Sequence, residues 1–213
     1  ANQIVSEILD PQVNEDVVKL EKVPKICVYS PKDKRPWDDA VTLALTYAEI
    51  PYDIIYDEEI VQGKLALYDW MHLHHEDFTG QYGKFYNMYR NATWYQEQQR
   101  SMESMAKQLG FAKVSQMKLA VAKRIKEFVA GGGFLFTMCS GTDTYDIALS
   151  AEGLDICESM YDGDGTTPSY NDHLDFSKTF AFRNYTLSVN PLEYRFSNID
   201  VTTTRRVPRD EDV

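Results

Sequence analysis

Cys139 is the residue best placed in this sequence for nucleophilic chemistry. It follows the apolar run at residues 134–138, which predicts a buried strand, and precedes Ser140-Gly141-Thr142-Asp143, which predict the start of a helix. On such a strand-to-helix turn the side chain is exposed and backbone N–H groups lie beside it. The pattern predicts a thiolate that attacks an amide or ester carbonyl, with N–H groups near Ser140 stabilising the oxyanion. A small residue fitted to a tight turn is the alternative interpretation.

The densest group of chemically capable side chains follows the third apolar run and comprises His72, His74, His75, Glu76 and Asp77. On a strand, His72 and His74 share one face because side chains alternate, and Glu76 continues that face. Two histidines and a carboxylate suit a metal ion, so His72, His74 and Glu76 predict a metal site as one alternative. In the favoured interpretation no metal is needed, and His74 or His75, with Glu76, serves as the base for Cys139. A polar strand end that only holds the loop in shape is the third alternative.

Further polar residues are predicted to line a binding pocket beside the histidines: Trp37, Asp77, Ser140, Gly141 and Asp143. Trp37 stands before two aspartates at a predicted helix start, where it is alternatively a cover. Asp143 is alternatively a capping carboxylate. The aromatic stretch at residues 82–95 predicts either a lid packed on the sheet or a surface that stacks on a sugar or peptide.

The composition limits the classes of partner. The chain has 213 residues and a formal net charge of −11, from 22 basic and 33 acidic side chains. This charge argues against nucleic acid and anionic membranes as partners, and a small-molecule substrate or ligand is expected instead. No apolar run approaches the roughly 20 residues of a transmembrane helix. The three cysteines show neither metal nor disulfide spacing, no cofactor is predicted, and the sequence does not define the oligomeric state.

Strand and helix patterns alternate along the chain, which predicts an α/β fold. Strands are expected at residues 25–30, 52–56, 68–74 and 134–138, with shorter ones at 154–157, 176–182 and 185–189. Helices are expected after residue 37, between residues 84 and 110, at residues 114–130 and after residue 140. In the helix at 114–130, the basic residues Lys118, Lys123, Arg124 and Lys126 are predicted to be solvated.

The alternation favours a three-layer, flavodoxin-like arrangement, a mostly parallel sheet with helices on both faces. Ligands of such sheets sit beyond the carboxyl ends of the strands, so residues 30–36, 74–83 and 139–143 are expected to share one rim. We predict an N-terminal arm at residues 1–23, one domain at 24–201 with a helical insertion or lid at 84–112, and a polar tail at 202–213. Because the chain begins at Ala1, removal of an N-terminal piece is also expected.

Two stretches carry a resemblance to a known family: YDWMHLHHEDFTGQYGKFY at residues 68–86 and FVAGGGFLFTMCSGTDTYDIALSAEG at residues 128–153. They resemble bacterial proteins often labelled "asparagine synthetase B", which lack an ATP-dependent synthetase domain and are similar to class I glutamine amidotransferases. The resemblance covers most of residues 15–205. It implies a longer N-terminus with an export signal, and hence an exported or periplasmic location.

Matched residue by residue to the amidotransferase pattern Gly-x-Cys-x-Gly, the resemblance makes Cys139 the nucleophile and Gly141 the second glycine. Thr137 stands in place of the first glycine. His75 and Glu76 stand where an oxyanion loop normally carries paired glycines, and the later His-x-Glu motif is missing, His173 being the one downstream histidine.

The favoured prediction is a hydrolase that acts on an amide or ester through Cys139, with an unspecified substrate. A non-catalytic module on the same fold, binding a ligand or a protein, is the first alternative. A metal-dependent hydrolase built on His72, His74, His75 and Glu76 is the second.

Overall fold

The structure is a computed structural model that describes residues 23–31 and 40–201. The predicted N-terminal arm (apart from Val23), Trp37 and the predicted tail at residues 202–213 lie outside the described residues. Within the described part of the chain, no helix is long and apolar enough to cross a lipid bilayer.

A four-stranded sheet forms the centre of the described fold. Its strands are β1 (Ile26–Tyr29), β2 (Tyr52–Ile55), β3 (Trp70–Leu73) and β4 (Phe134–Thr137). All neighbouring strands run parallel in the order β2-β1-β3-β4, with Val28 opposite His72 and His72 opposite Phe136. The predicted α/β class with a parallel sheet is therefore confirmed.

Seven helices are described: α1 (Ala40–Tyr47), α2 (Asp57–Val61), α3 (Tyr86–Tyr89), α4 (Thr93–Gln108), α5 (Val114–Ala130), α6 (Gly141–Ser150) and α7 (Ser159–Asp162). Single 3₁₀ turns occur at Lys64–Leu67, Tyr82–Lys84 and Tyr170–His173. Helix α2 begins with three acidic residues, as the helix dipole favours, and the Glu59 carboxylate accepts the Tyr56 N–H at 3.1 Å.

The main core lies between one face of the sheet and helices α4, α5 and α6. Met71 and Leu73 of β3 are almost completely buried there, with Met117, Val121 and Ile125 of α5. The edge strand β4 is less covered, since Phe134 is 58% and Phe136 39% exposed. The buried residues Met117, Val121 and Ile125 form one apolar face of α5, and this face packs the helix against the core.

The C-terminal part of the chain differs from the sequence prediction. No strand forms at residues 154–157, 176–182 or 185–189, and the isolated bridge between Leu187 and Ser197 is the one β-type pairing described there. Instead, the buried Asp146 carboxylate accepts the N–H groups of Phe180, Ala181 and Phe182 at 2.5–2.7 Å. At residues 180–182 the prediction is wrong because this side chain takes the backbone donors that a neighbouring strand would have used. Side chains also take backbone donors in the other two segments: Asn171 accepts the Leu187 N–H, and the Thr167 hydroxyl and the Asp155 carboxylate accept the N–H groups of Asp155 and Cys157.

Candidate functional site

The loops that follow all four strands contribute to one cavity of about 360 Å³, which we call the aromatic pocket. Pro31 follows β1, Tyr56 follows β2, the segment His75-Glu76-Asp77 follows β3 and Ser140 follows the β4 end. The expected convergence at the carboxyl rim is thus observed for the described residues. Such a rim is where parallel α/β sheets bind ligands.

The walls of the aromatic pocket come from the segment at residues 82–94 and from Tyr194. They include Tyr82, Phe85, Tyr89, Trp94 and Tyr194. Around Phe85, the ring centroids of Tyr89, Trp94 and Tyr194 lie 5.9, 6.1 and 6.0 Å away. Helix α4 is packed onto the core through Tyr95 and Met102, and this anchors the aromatic segment above the sheet end. Whether that segment moves as a lid remains a prediction.

The floor of the aromatic pocket is a buried cluster of charged and phenolic groups around Lys118. The Lys118 side chain is fully buried, and its Nζ atom lies 2.9 Å from Asp57 Oδ2 and 2.6 Å from Glu76 Oε1. It also donates to the Tyr29 hydroxyl at 3.0 Å, and that hydroxyl donates to the Asp57 carboxylate. A buried ammonium is stable here because two carboxylates and a hydroxyl replace its water.

This arrangement raises the pKa values of Lys118, Glu76 and Tyr29 alike, but for different reasons. Burial disfavours charged Lys118, but Asp57 and Glu76 outweigh it and raise its pKa well above the usual range. Burial raises the pKa of Glu76 to about 7; Lys118 opposes this rise, and the negative charges of Asp57 and Asp77 add to it. The pKa of Tyr29 is also raised, first by burial and then by Asp57. One ammonium therefore faces two carboxylates in this cluster.

Lys118 corrects the sequence prediction, which placed it among solvated basic residues. It lies on the same stripe of α5 as Val114, Val121 and Ala122, all buried, at the i+3 and i+4 spacing that defines one helix face. That spacing is the signal that identifies it. The partner Asp57 carried no comparable signal, since an acidic residue at a helix start is commonly solvated.

The loop after β3 is held in shape by Asp77. Its Oδ1 atom accepts the Thr79 N–H at 2.7 Å and the Thr79 hydroxyl at 2.6 Å, and its Oδ2 atom accepts the Gly83 N–H at 2.8 Å. Lys84 is also buried here and donates to the carbonyl oxygens of Ser188, Asn190 and Arg195, which ties the segment bearing Tyr194 to this loop. Asp77 therefore lines the pocket as predicted, but its carboxylate is occupied with loop contacts.

Backbone strain is concentrated around this rim. Among the described residues, seven non-glycine residues have positive φ, and four of them are His75, Tyr82, Lys84 and Cys139. Left-handed backbone costs a non-glycine residue of order 1 kcal/mol and persists where the surroundings impose it. Such residues cluster at functional sites, so their position supports the assignment of this rim as the site.

Cys139 lies on the turn between β4 and α6 with φ at +50° and an exposed side chain. Gly141 makes this turn possible, because an added Cβ would lie 2.1 Å from Leu73 Cδ2 and 2.9 Å from Thr137 Oγ1. Thr137 is thus tolerated in place of a first glycine because residue 141 has no side chain. The geometry is that of a sharp, strained strand-to-helix elbow.

Cys139 does not line the aromatic pocket. It lines a neighbouring cavity of about 370 Å³ with Asp143, Arg195 and Phe196, and the two cavities share Ser140 and Tyr194. Asp143 is buried and accepts the Ser197 hydroxyl at 3.4 Å, and burial raises its pKa to about 6. The sequence grouped Cys139 with Glu76 in one pocket, whereas the structure places them in adjoining cavities.

The three histidines of the cluster occupy different environments. His72 is fully buried in the sheet and stacks on Phe136, with ring centroids 5.6 Å apart. His74 is half-buried and His75 exposed, and their ring centroids are 3.7 Å apart. The Met138 N–H still donates to the Leu73 carbonyl at 3.0 Å, so His74-His75 and Cys139-Ser140 leave adjacent strands side by side. His173 is exposed in a 3₁₀ turn.

The predicted metal alternative finds little support in this geometry. Glu76 is directed at Lys118, and within the described residues the one group of three close metal-ligand atoms is Asp155, Cys157 and Asp162. The Nζ atom of Lys113 already lies 2.5 Å from Asp155 and 3.1 Å from Asp162. An ammonium therefore already contacts both carboxylates of that group.

No family model, curated protein or solved structure matches this chain. Its function therefore has to be inferred from the geometry of the two adjoining cavities and the side chains that line them.

Proposed function

We propose that this chain is a three-layer, flavodoxin-like domain of the class I glutamine amidotransferase type that hydrolyses a small amide or ester through Cys139. The observation that carries the proposal is the exposed, positive-φ cysteine on the β4–α6 elbow, next to an enclosed pocket at the same rim. An elbow keeps a nucleophile exposed and places backbone N–H groups beside it, and here the chain tolerates strain to do so.

In the proposed reaction, the Cys139 thiolate attacks the carbonyl carbon and forms a C–S bond. Backbone N–H groups near Ser140 stabilise the oxyanion, and His75 or His74 takes the thiol proton and returns it to the departing amine or alcohol. Water then hydrolyses the thioester and regenerates the thiol. The aromatic pocket holds the part of the substrate that does not react, and Tyr194 and Ser140 border both that pocket and the cavity of Cys139.

Selective alkylation tests this proposal. Cys27 and Cys157 are buried, and burial raises the pKa of Cys27 to about 12, so iodoacetamide should modify Cys139 alone among the three cysteines. We expect modification of Cys139 at neutral pH to be at least about tenfold faster than that of free cysteine, because an exposed nucleophile with a general base beside it reacts faster than an isolated thiol. A rate equal to that of free cysteine, measured by mass spectrometry, would contradict the hydrolase.

A non-catalytic ligand-binding module is the second candidate, and one observation favours it. The aromatic pocket has a Lys118–Glu76 floor, and Cys139 does not line it. If this candidate is right, Cys139→Ala leaves ligand affinity unchanged and the wild-type protein turns over no amide or ester.

A further inference from the structure

The floor of the aromatic pocket carries more negative than positive charge. Lys118 supplies one positive charge, while Asp57 and Glu76, both within 2.9 Å of its Nζ atom, supply two negative charges. The nearby Asp77 adds another carboxylate, which accepts the N–H groups of Thr79 and Gly83 and the Thr79 hydroxyl, and the buried ammonium of Lys84 offsets part of its charge. Charge that is removed from water without compensation is unfavourable, and a proton or a bound cation relieves it.

The walls above this floor present aromatic rings. Phe85, Tyr89, Trp94 and Tyr194 form a connected group, in which the Tyr89 and Trp94 centroids are 5.1 Å apart. Ring faces attract cations, and groups of such rings recognise quaternary ammonium ions. The floor already contains contacts of this kind, because Lys118 Nζ lies 4.9 Å from the Tyr56 centroid and 5.4 Å from the Tyr29 centroid.

We propose that the aromatic pocket binds a quaternary ammonium compound, whose positive head lies among these rings and neutralises the surplus charge of Glu76. A neutral ligand would leave that surplus uncompensated, and an anion would add to it. The volume of about 360 Å³ suits a compact ligand. This inference rests on the proposed function in one respect, which is that the aromatic pocket is also the substrate site. The substrate would then carry an ammonium group in addition to its amide or ester.

Calorimetric titration with two probes tests the inference. Choline is the first probe, and the second is its neutral isostere, in which carbon replaces the nitrogen. We expect choline to bind at least about tenfold more tightly than the isostere, because the aromatic rings and the carboxylates of the floor attract the cation and not the neutral probe. Equal affinities for the two probes, or no choline binding, would overturn the proposal.

Two variants with a matched control locate the site. Trp94→Ala and Glu76→Gln are each expected to weaken choline binding about tenfold, since each removes one of the two attractive elements. Trp94 is 42% exposed, so its removal should spare the fold. The control is Phe134→Ala, which removes an exposed aromatic side chain of the edge strand that does not line the pocket. A weakening of the same size in the control variant would contradict the site.

The pH dependence of choline binding is an independent test of the proposed site. Glu76 is faced by Lys118 from α5, by Asp57 from α2 and by Asp77 in its own loop, and His75 lines the same pocket. Since burial raises the pKa of Glu76 to about 7, choline should bind about tenfold more weakly near pH 6 than near pH 8. The Glu76→Gln variant should lose this dependence, and retention of it there would assign the effect to another group.

The same experiments separate this inference from the proposed hydrolase. Cys139→Ala should retain choline binding, because Cys139 does not line the aromatic pocket. Choline binding with an unreactive Cys139 would refute the hydrolase alone. Rapid alkylation of Cys139 with no preference for choline would refute the cation site alone.

Discussion

Replacement of Glu76 by glutamine is expected to change how the stability of the protein depends on pH. In the folded chain burial raises the pKa of Glu76 from 4.5 to about 7, so the folded state holds a proton that the unfolded state releases between these values. The folded state is thereby favoured at low pH. This contribution is complete below pH 4.5 and is lost as pH rises through about 7.

The magnitude follows from the size of this shift. One pKa unit corresponds to about 1.4 kcal/mol, so the shift of Glu76 amounts to about 3 kcal/mol of unfolding free energy between pH 4.5 and about pH 8. Glutamine keeps the size of the side chain and an oxygen that can accept from Lys118, but it binds no proton. The difference in unfolding free energy, wild type minus Glu76→Gln, should therefore fall by about 3 kcal/mol across this range.

Urea denaturation at several pH values measures this difference directly. The control is Glu97→Gln, which changes an exposed glutamate of α4 and should show no such trend. A wild-type curve parallel to that of Glu76→Gln would refute the reasoning, because it would mean that Glu76 is equally ionised in the folded and unfolded chains. A trend of the opposite sign would mean that Lys118 compensates Glu76 more strongly than burial penalises it.

Three further substitutions test the site. Lys118→Met should lower the unfolding free energy by about 3–5 kcal/mol, because it leaves two buried carboxylates without their ammonium. The control Lys123→Met removes a partly exposed ion pair and should lower it by less than about 1 kcal/mol. Similar losses for the two variants in urea denaturation would argue against the buried cluster. Gly141→Ala should lower the free energy of unfolding by about 1–3 kcal/mol, because the added Cβ would collide with Leu73. The control Gly165→Ala places its Cβ in open space and should change that free energy by no more than about 0.5 kcal/mol. Equal shifts in melting temperature for the two variants would contradict the tight turn at Gly141. Cys139→Gly should be about 1 kcal/mol more stable than Cys139→Ala, because glycine relieves the positive φ, and equal stability would mean that the turn is unstrained.

The sequence was informative where local pattern and the geometry of parallel sheets decide the outcome. Apolar runs located all four described strands, and the strand-end rule placed His75, Glu76 and Ser140 at one rim. Lys118 was misassigned because charge was given more weight than its place in the apolar stripe of α5. The separation of Cys139 from the aromatic pocket depends on how two loops pack in space, which neither loop encodes alone.

The prediction of strands in the C-terminal part of the chain was wrong for a related reason. Residues 176–189 alternate in a way that suits strands, yet Asp146 and Asn171, from elsewhere in the chain, bind their backbone groups. Asn171 both accepts the Leu187 N–H at 2.7 Å and donates to the Leu187 carbonyl at 3.1 Å. Competition between a side chain and a neighbouring strand depends on tertiary placement, so periodicity alone did not reveal it.

The way in which the segment bearing Tyr194 is held in place affects which substitutions this protein can accept. The segment that carries Tyr194, which lines both cavities, has no regular secondary structure. Hydrogen bonds from the Lys84 ammonium to three carbonyl groups hold it in place, and strand pairing does not. Carbonyl groups are present whatever the side chains are, so substitutions between these anchor points leave the attachment intact. The wall shared by the two cavities can therefore change through residues 191–194 while the parallel scaffold, and the turn that carries Cys139, stay unaltered.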